Sequence, residues 1–345
     1  MTKPFTPPLN VGMIGAGYFA GFQAEAWSRI ADVRLVAVAD PVVEKAQAFA
    51  SRWGIPRTHA SAKEMLDAEA IDVADIATRP ESHRELAALA ARRGVQVITQ
   101  KPMAPAWSDC TAMVEDCERH GVRLLVHENW RWQPWYREAK RVIESGVLGK
   151  VFQASFFWRT GDGLGPKPYV LQPYFSEMPR LLVFETLVHL LDTFRFLAGE
   201  IETVFCRMLR VNQALIGEDQ ATIVTTHAGG VTGLIDGNRL SGPVPPGEAM
   251  GSLWIEGDGG SLRMSSDGGL WVRAAGTAEE REHAYERTTA GYRGDSVRAT
   301  QAHLVESLLT GRPSESEGRS YLRTAAAVEA CYESARTARE IVLGS

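Results

Sequence analysis

Cysteine is sparse and unpatterned: Cys110, Cys117, Cys206 and Cys331 form no CxxC pair, so neither a disulfide framework nor a zinc knuckle is indicated. Long apolar runs are missing too. The most apolar helix-like stretch, Leu181 to Leu197, carries Glu185, His189, Asp192 and Arg195, which does not suit a bilayer. Met1 to Asn10 is rich in proline and lacks the apolar core of a secretion signal. Neither sign of charge dominates, with 37 Lys and Arg against 42 Asp and Glu. That balance argues against nucleic acid or an anionic membrane as the partner. Internal repeats and low-complexity tracts are absent. A soluble, cytoplasmic protein is the expectation.

What is present is a chain of 345 residues, more than one compact core usually holds, so two domains are expected. Up to His127, strand and helix signals alternate. Strand candidates are Leu9 to Ile14, Val33 to Ala39, Asp72 to Thr78, Val95 to Thr99 and Val122 to His127, with amphipathic helical stretches between them. Repeated βα units predict a parallel sheet wound on both faces, a Rossmann domain over 1–128. From Val151 the pattern changes to extended stretches at 151–158, 201–211, 219–227, 230–237, 252–256 and 261–264. Several are separated by glycine-rich turns, as hairpins require. Helices are expected at Leu181–Ala198, Ser296–Leu309 and Arg319–Ile341. Residues 129–345 therefore read as an α+β domain with a large, mostly antiparallel sheet.

Three motifs carry chemistry. The first is Gly15-Ala16-Gly17-Tyr18-Phe19-Ala20, a GxGxxA loop between strand and helix. Gly15 permits the tight turn, Gly17 lets backbone amides approach a pyrophosphate, and Ala20 lets the helix pack on the strand. Asp40 ends the second strand, where a carboxylate accepts hydrogen bonds from ribose hydroxyls and repels a 2′-phosphate. NAD is therefore favoured over NADP. The second is Gln100-Lys101-Pro102 at the carboxyl end of a buried strand, where open α/β sheets bind their ligands. Thr78, Pro80 and His83 follow the neighbouring strand at the same sheet edge; His83 reads equally well as a cofactor neighbour or as part of a helix's first turn. Asn129 and Arg131, beyond the last of these strands, are candidates to face a cleft.

The third motif is Glu185, His189 and Asp192, spaced i, i+4 and i+7 so that they share one helical face. Three readings fit: a solvated face, a metal site, or a histidine general base oriented by a carboxylate. No second histidine stands at a helical ligand spacing, and no metal is expected.

Taken in order, these elements resemble the glucose–fructose oxidoreductase / inositol dehydrogenase / rhizopine catabolism family over nearly the whole chain. Within it, Gln-Lys-Pro-Met-Ala-Pro and His127-Glu-Asn-Trp-Arg-Trp-Gln133 resemble the D-apiose dehydrogenase group. The resemblance implies a Rossmann domain followed by an open-faced α+β domain, with NAD(P) between them and Lys101 and His189 flanking the carbon that exchanges hydride. In that reading His189 takes the hydroxyl proton, Glu185 orients it and Lys101 steadies the developing alkoxide; Lys101 as base is the alternative. Asn129, Arg131 and Asp192 are the expected substrate contacts, with Arg159 and Asp162 as weaker candidates. A homo-oligomer formed through the C-terminal sheet, dimer or tetramer, is the expected assembly. The sequence departs from the family at Gln100, usually Glu, at Glu185, generally Asp, and at Leu187, commonly Gly. Rival readings are a redox-neutral NAD-dependent glycosidase and a catalytically silent NAD-binding sensor.

Overall fold

The computed structural model describes residues 5–242 and 246–344, which separate into two compact units. The first holds the described residues through Trp132 together with Thr289–Ala325; the second holds Gln133–Thr288 and the described residues from Ala326 onward. The division expected at 128/129 treats the domains as consecutive stretches, whereas the chain returns to its first unit near its end.

The first unit is built on six strands: β1 (Leu9–Ile14), β2 (Val33–Ala39), β3 (Arg57–His59), β4 (Val73–Ile76), β5 (Gln96–Gln100) and β6 (Leu124–His127). They are paired in parallel in the order β3-β2-β1-β4-β5-β6. Between them run α1 (Tyr18–Trp27), α2 (Val43–Trp53), α3 (Ala62–Ala68), α4 (Pro80–Ala91) and α5 (Trp107–Arg119). Every residue of β4, β5 and β6 is buried, including the polar Asp75, Gln96, Thr99, Gln100 and His127, as in a parallel sheet covered on both faces. The strand order reverses between β1 and β4. The loops leaving these two strands diverge there, opening a crevice at the carboxyl ends.

The second unit begins with α6 (Pro134–Glu144) and β7 (Val151–Arg159). A π-helical turn, Leu182–Leu187, runs directly into α7 (Val188–Ala198). Then come β8 (Ile201–Leu209), β9 (Gln220–His227), β10 (Thr232–Asn238), β11 (Gly251–Gly257), β12 (Gly260–Met264), β13 (Leu270–Ala274) and β14 (Arg281–Glu282). After α8 (Ser296–Thr310) and α9 (Gly318–Thr337), the short β15 (Ile341–Val342) joins the same sheet. The nine strands lie in the order β14-β13-β12-β11-β7-β10-β9-β8-β15, and all described pairs are antiparallel except β7 with β10. Burial alternates along β8, β9 and β10, as expected of a sheet covered on one face; α7 packs on β7 and β10.

The return of the chain has a simple physical cause. Leu304, Val305 and Leu308 of α8 are buried in the core that also holds Leu9, Val11, Met13, Ala24 and Trp27. An amphipathic helix goes where its apolar stripe is covered. Among the described residues no helix is long and apolar enough to cross a membrane.

Candidate active site

In the first unit the glycine loop is shaped by its neighbours. Gly15 has φ +101°, and a Cβ there would lie 2.8 Å from the Ala77 carbonyl oxygen, so both conformation and space demand glycine. Its amide donates to Ala39 O at 2.8 Å, tying the turn to β2. Gly17 differs. It sits at the N-cap of α1 with ordinary extended backbone, and nothing lies within 4 Å of where its Cβ would be. A side chain there would fill open space above the loop, and no side chain caps the helix. Uncapped amides at a helix N-terminus beneath open space suit a pyrophosphate, so these residues fit the phosphates of a dinucleotide.

Asp40 is held on both oxygens. Oδ2 accepts from Ala16 N and Oδ1 from Val42 N, each at 2.9 Å. The carboxylate therefore pins the glycine loop, and its remaining lone pairs stay available to ribose hydroxyls. Gln100, at the end of β5, is buried, and its Nε2 has no hydrogen-bond partner within the chain. An orphaned buried donor at the carboxyl edge of the sheet calls for a ligand acceptor, which again fits a bound cofactor. Lys101 follows at once, half-buried, before a cis Pro102.

His83, an expected cofactor neighbour, lies between the loops that follow β4 and β5. It is fully buried; Nδ1 faces Met103 O and Nε2 faces Thr78 O, both at 3.1 Å. Burial pushes its pKa down, so the neutral ring donates to one carbonyl at a time. Its contribution is to hold the loops after β4 and β5 together. Thr78 Oγ1 lies 2.7 Å from Ser82 Oγ, and Pro80 opens α4. Asn129 and Arg131, expected as substrate contacts, have partners within the chain. Both are buried within the first unit: Asn129 Nδ2 donates to Ser296 Oγ at 2.9 Å, and Arg131 Nη1 approaches Glu315 O at 3.5 Å. They brace the returning segment, which sequence order hides.

In the second unit, the stripe of Glu185, His189 and Asp192 is not a solvated face. His189 is 6% exposed and Asp192 1%. Along α7 nearly every residue is buried. The stripe also spans two helix types, since Glu185 lies in the π-helical turn; such turns often occur at functional sites. Glu185 Oε2 accepts from Thr186 Oγ1 at 2.8 Å, and Asp192 lies 3.7 Å from Arg195, which is bidentate to Glu200. Among the described residues, no three of His, Cys, Asp and Glu are grouped to hold a metal ion. Leu187, in place of the family's usual glycine, is fully buried against Gly237 of β10 and so leaves no bulk in an open pocket.

Sequence reasoning missed the residue with the most connections here. Arg239, directly after β10, is buried and pairs with Asp162 and Glu185. Burial alone depresses a guanidinium, yet the Asp162 bond and the two carboxylates leave its pKa raised. For Asp162 burial pushes up, but Arg239 outweighs it and the carboxyl is held below its usual range. An arginine one residue past a strand has no sequence pattern of its own. Arg159, by contrast, donates to Trp158 O and Asp236 O and pairs with Asp236, a bracing role between β7 and β10.

A six-stranded parallel sheet with a dinucleotide loop at its switch point, joined in one chain to a nine-stranded mixed sheet, defines a two-domain nucleotide-dependent oxidoreductase. Comparison with known proteins makes this specific. Residues 9–128 match the oxidoreductase family with an NAD-binding Rossmann fold, and residues 136–263 match the GFO/IDH/MocA C-terminal domain. The chain belongs to the GFO/IDH/MocA family and is an NAD-binding oxidoreductase. It is 36% identical to a D-apiose dehydrogenase of Paraburkholderia graminis, over 96% of this chain and 89% of that one. A D-apiose dehydrogenase of Rhizobium rhizogenes is 33% identical over 98% of each chain. Among solved structures, an oxidoreductase from Agrobacterium radiobacter in complex with NAD+, L-tartaric acid and magnesium superposes with a TM-score of 0.91 at 32% identity, covering 97% of this chain and 98% of that one.

Proposed function

We propose that the chain oxidises a small sugar, D-apiose or a closely related pentose, at its anomeric carbon to a lactone. The observation that carries this reading is the likeness to two D-apiose dehydrogenases over nearly the full chain. In the reaction a cyclic hemiacetal loses its anomeric hydrogen with the bonding electron pair and its hydroxyl hydrogen as a proton. NAD, when bound, accepts the hydride. His189 takes the proton as general base, and Glu185 orients it. Lys101 donates a hydrogen bond to the oxygen as its negative charge develops. Gly15, Ala16, Gly17, Tyr18 and Phe19 with the first amides of α1 hold the pyrophosphate, and Asp40 holds the adenosine ribose. Thr78, Pro80 and Gln100 serve the nicotinamide half. Asp192, Asn129 and Arg131 are the candidate contacts to sugar hydroxyls.

The test is NADH formation from NAD+ with D-apiose, other pentoses, hexoses and inositols. NADH is expected with apiose or close pentoses. Formation with hexoses or inositols but not with pentoses overturns the substrate, while no net NADH with any sugar or polyol overturns the dehydrogenase reading in favour of a redox-neutral or silent protein. Activity should survive exhaustive chelation; loss with EDTA and rescue by a divalent ion would reinstate a metal reading of the Glu185, His189 and Asp192 stripe.

A further inference from the structure

Arg239 joins two parts of the second unit that are far apart in sequence. Its Nε donates to Asp162 Oδ1 at 3.0 Å, and its Nη2 donates to Asp162 Oδ2. Its Nη1 donates to Thr186 Oγ1 at 3.0 Å and stands 3.7 Å from Glu185 Oε2. The guanidinium carbon lies 4.7 Å from the centre of the Tyr169 ring and 5.1 Å from that of Phe175. The backbone adds to the clamp, with Gly163 N donating to Arg239 O and Tyr169 N to Asp162 O. One side chain thus gathers the base of the long loop between β7 and the π-helical turn.

The direction of the relay follows from hydrogen count. A hydroxyl has a single hydrogen. Thr186 Oγ1 accepts from Arg239, which is acceptor-free, and so gives its hydrogen to Glu185 Oε2, 2.8 Å away. Asp162, Arg239, Thr186 and Glu185 form one chain of charge-assisted bonds from loop to carboxylate. Lysine does not replace this arginine, because only the planar fork holds a carboxylate bidentately, reaches a third acceptor and stacks on two rings at once.

We propose that Arg239 is a positioning residue that couples the loop Thr160–Glu177 to Glu185, so that loop order and the placement of the Glu185 carboxylate are one device. This rests on the reading of Glu185 as the group that orients His189. The loop's outer part exposes Leu164, Val170 and Leu171, while Asn212, which donates to Gly163 O and Gly165 O, and the buried Tyr169 and Phe175 hold it alongside Arg239.

The test uses the full-length protein and three variants, Arg239→Lys, Thr186→Val and Thr186→Ser, checked for NAD affinity to show that each folds. Thr186→Val severs the relay and leaves the Asp162–Arg239 pair in place; Thr186→Ser restores the hydroxyl. Arg239→Lys and Thr186→Val are expected to lower kcat for the sugar about tenfold or more, with NAD affinity within about twofold of wild type. Thr186→Ser is expected to keep most of kcat. Thermolysin, which cuts beside large apolar residues, should cleave the loop several-fold faster in Arg239→Lys and Thr186→Val but not in Thr186→Ser. Wild-type kcat in Thr186→Val, or in a folded Arg239→Lys, overturns the proposal. A protein that oxidises no sugar overturns the proposed function alone. Loop cleavage then decides the coupling: acceleration in Thr186→Val upholds it, and unchanged cleavage overturns it.

Discussion

Asp75 is a carboxylate in the middle of the first sheet, fully buried, accepting from Gln23 Nε2 at 2.9 Å and Trp27 Nε1 at 2.7 Å. Burial pushes its pKa up to about 7, against the two donors, which favour the anion. The folded chain therefore binds more protons than the unfolded one between roughly pH 4 and pH 7. Unfolded minus folded proton number is negative there, so stability falls as pH rises through that window and levels off above it. The penalty is at most about 4 kcal/mol. Gln23 Oε1 is buried without a partner; turning that amide over lets it accept from a protonated Asp75, or from the amide of Asp75→Asn. The Asn variant should flatten the pH dependence and match or exceed wild type near pH 8, measured by urea unfolding across pH. A wild-type slope in Asp75→Asn would place the titration elsewhere. The two proposed catalytic side chains carry a different expectation. Lys101→Ala and His189→Ala should each lower turnover by roughly two to four orders of magnitude, and His189→Ala should leave NAD affinity little changed. Full activity in His189→Ala would remove it from the mechanism. Single residues were readable where type and position agreed, as at Gly15, whose turn needs a positive φ. The partners of Asn129 and Arg131 in the returning segment were not, because a polar residue after a strand does not show that it meets a segment well over a hundred residues later.

The π-helical turn meets the sheet through Leu187 and Gly237. A Cβ on Gly237 would come 2.8 Å from both methyl carbons of Leu187, which is fully buried. The bulk gained at Leu187 relative to the family's common glycine is thus housed by the missing side chain across from it in β10. Gly237→Ala should cost about 1–3 kcal/mol by overpacking, and Leu187→Ala about 2–5 kcal/mol by leaving a cavity. The double variant should be less destabilised than the sum by about 1 kcal/mol or more, because the new methyl fills part of that cavity. Chemical denaturation of the four proteins measures the coupling; strict additivity would show that the two side chains do not share the space. This element also marks where sequence periodicity runs out. The long strands of both sheets were legible because period-2 alternation and continuous apolar runs are strong signals. The stretch Leu181 to Ala198 read as one uniform helix, since a π turn keeps helical composition while changing which residues share a face. β13 shows no alternation, with only Leu270 buried, and the two-residue β14 and β15 are too short to show any period.

At the scale of the whole molecule, the two-domain plan and both fold classes were legible from the order of strand and helix signals. The assignment of Thr289–Ala325 to the first unit was not, because an amphipathic helix shows that it has a face to bury but not which core receives it. That segment contributes to the first unit's core, with α8 packed on α1. Cofactor choice follows from how rigidly this unit holds Asp40. Two backbone amides, Ala16 N and Val42 N, fix the two carboxylate oxygens. The group cannot swing aside to admit a 2′-phosphate without breaking the glycine loop's own bonds. A phosphate charge about 4 Å from a fixed carboxylate costs on the order of 4 kcal/mol at an effective dielectric near 20. Ligand binding to the folded state alone stabilises it by about 2.7 kcal/mol at a hundredfold excess over the dissociation constant. NAD at that excess should therefore raise the unfolding temperature by several degrees, while NADP at the same concentration should leave it nearly unchanged. Asp40→Asn removes the repulsion and keeps one acceptor for the loop, so the difference between the cofactors should shrink. His189→Ala, in the other unit, should keep the full NAD shift. An equal or larger shift with NADP in the wild type would overturn the assignment of Asp40.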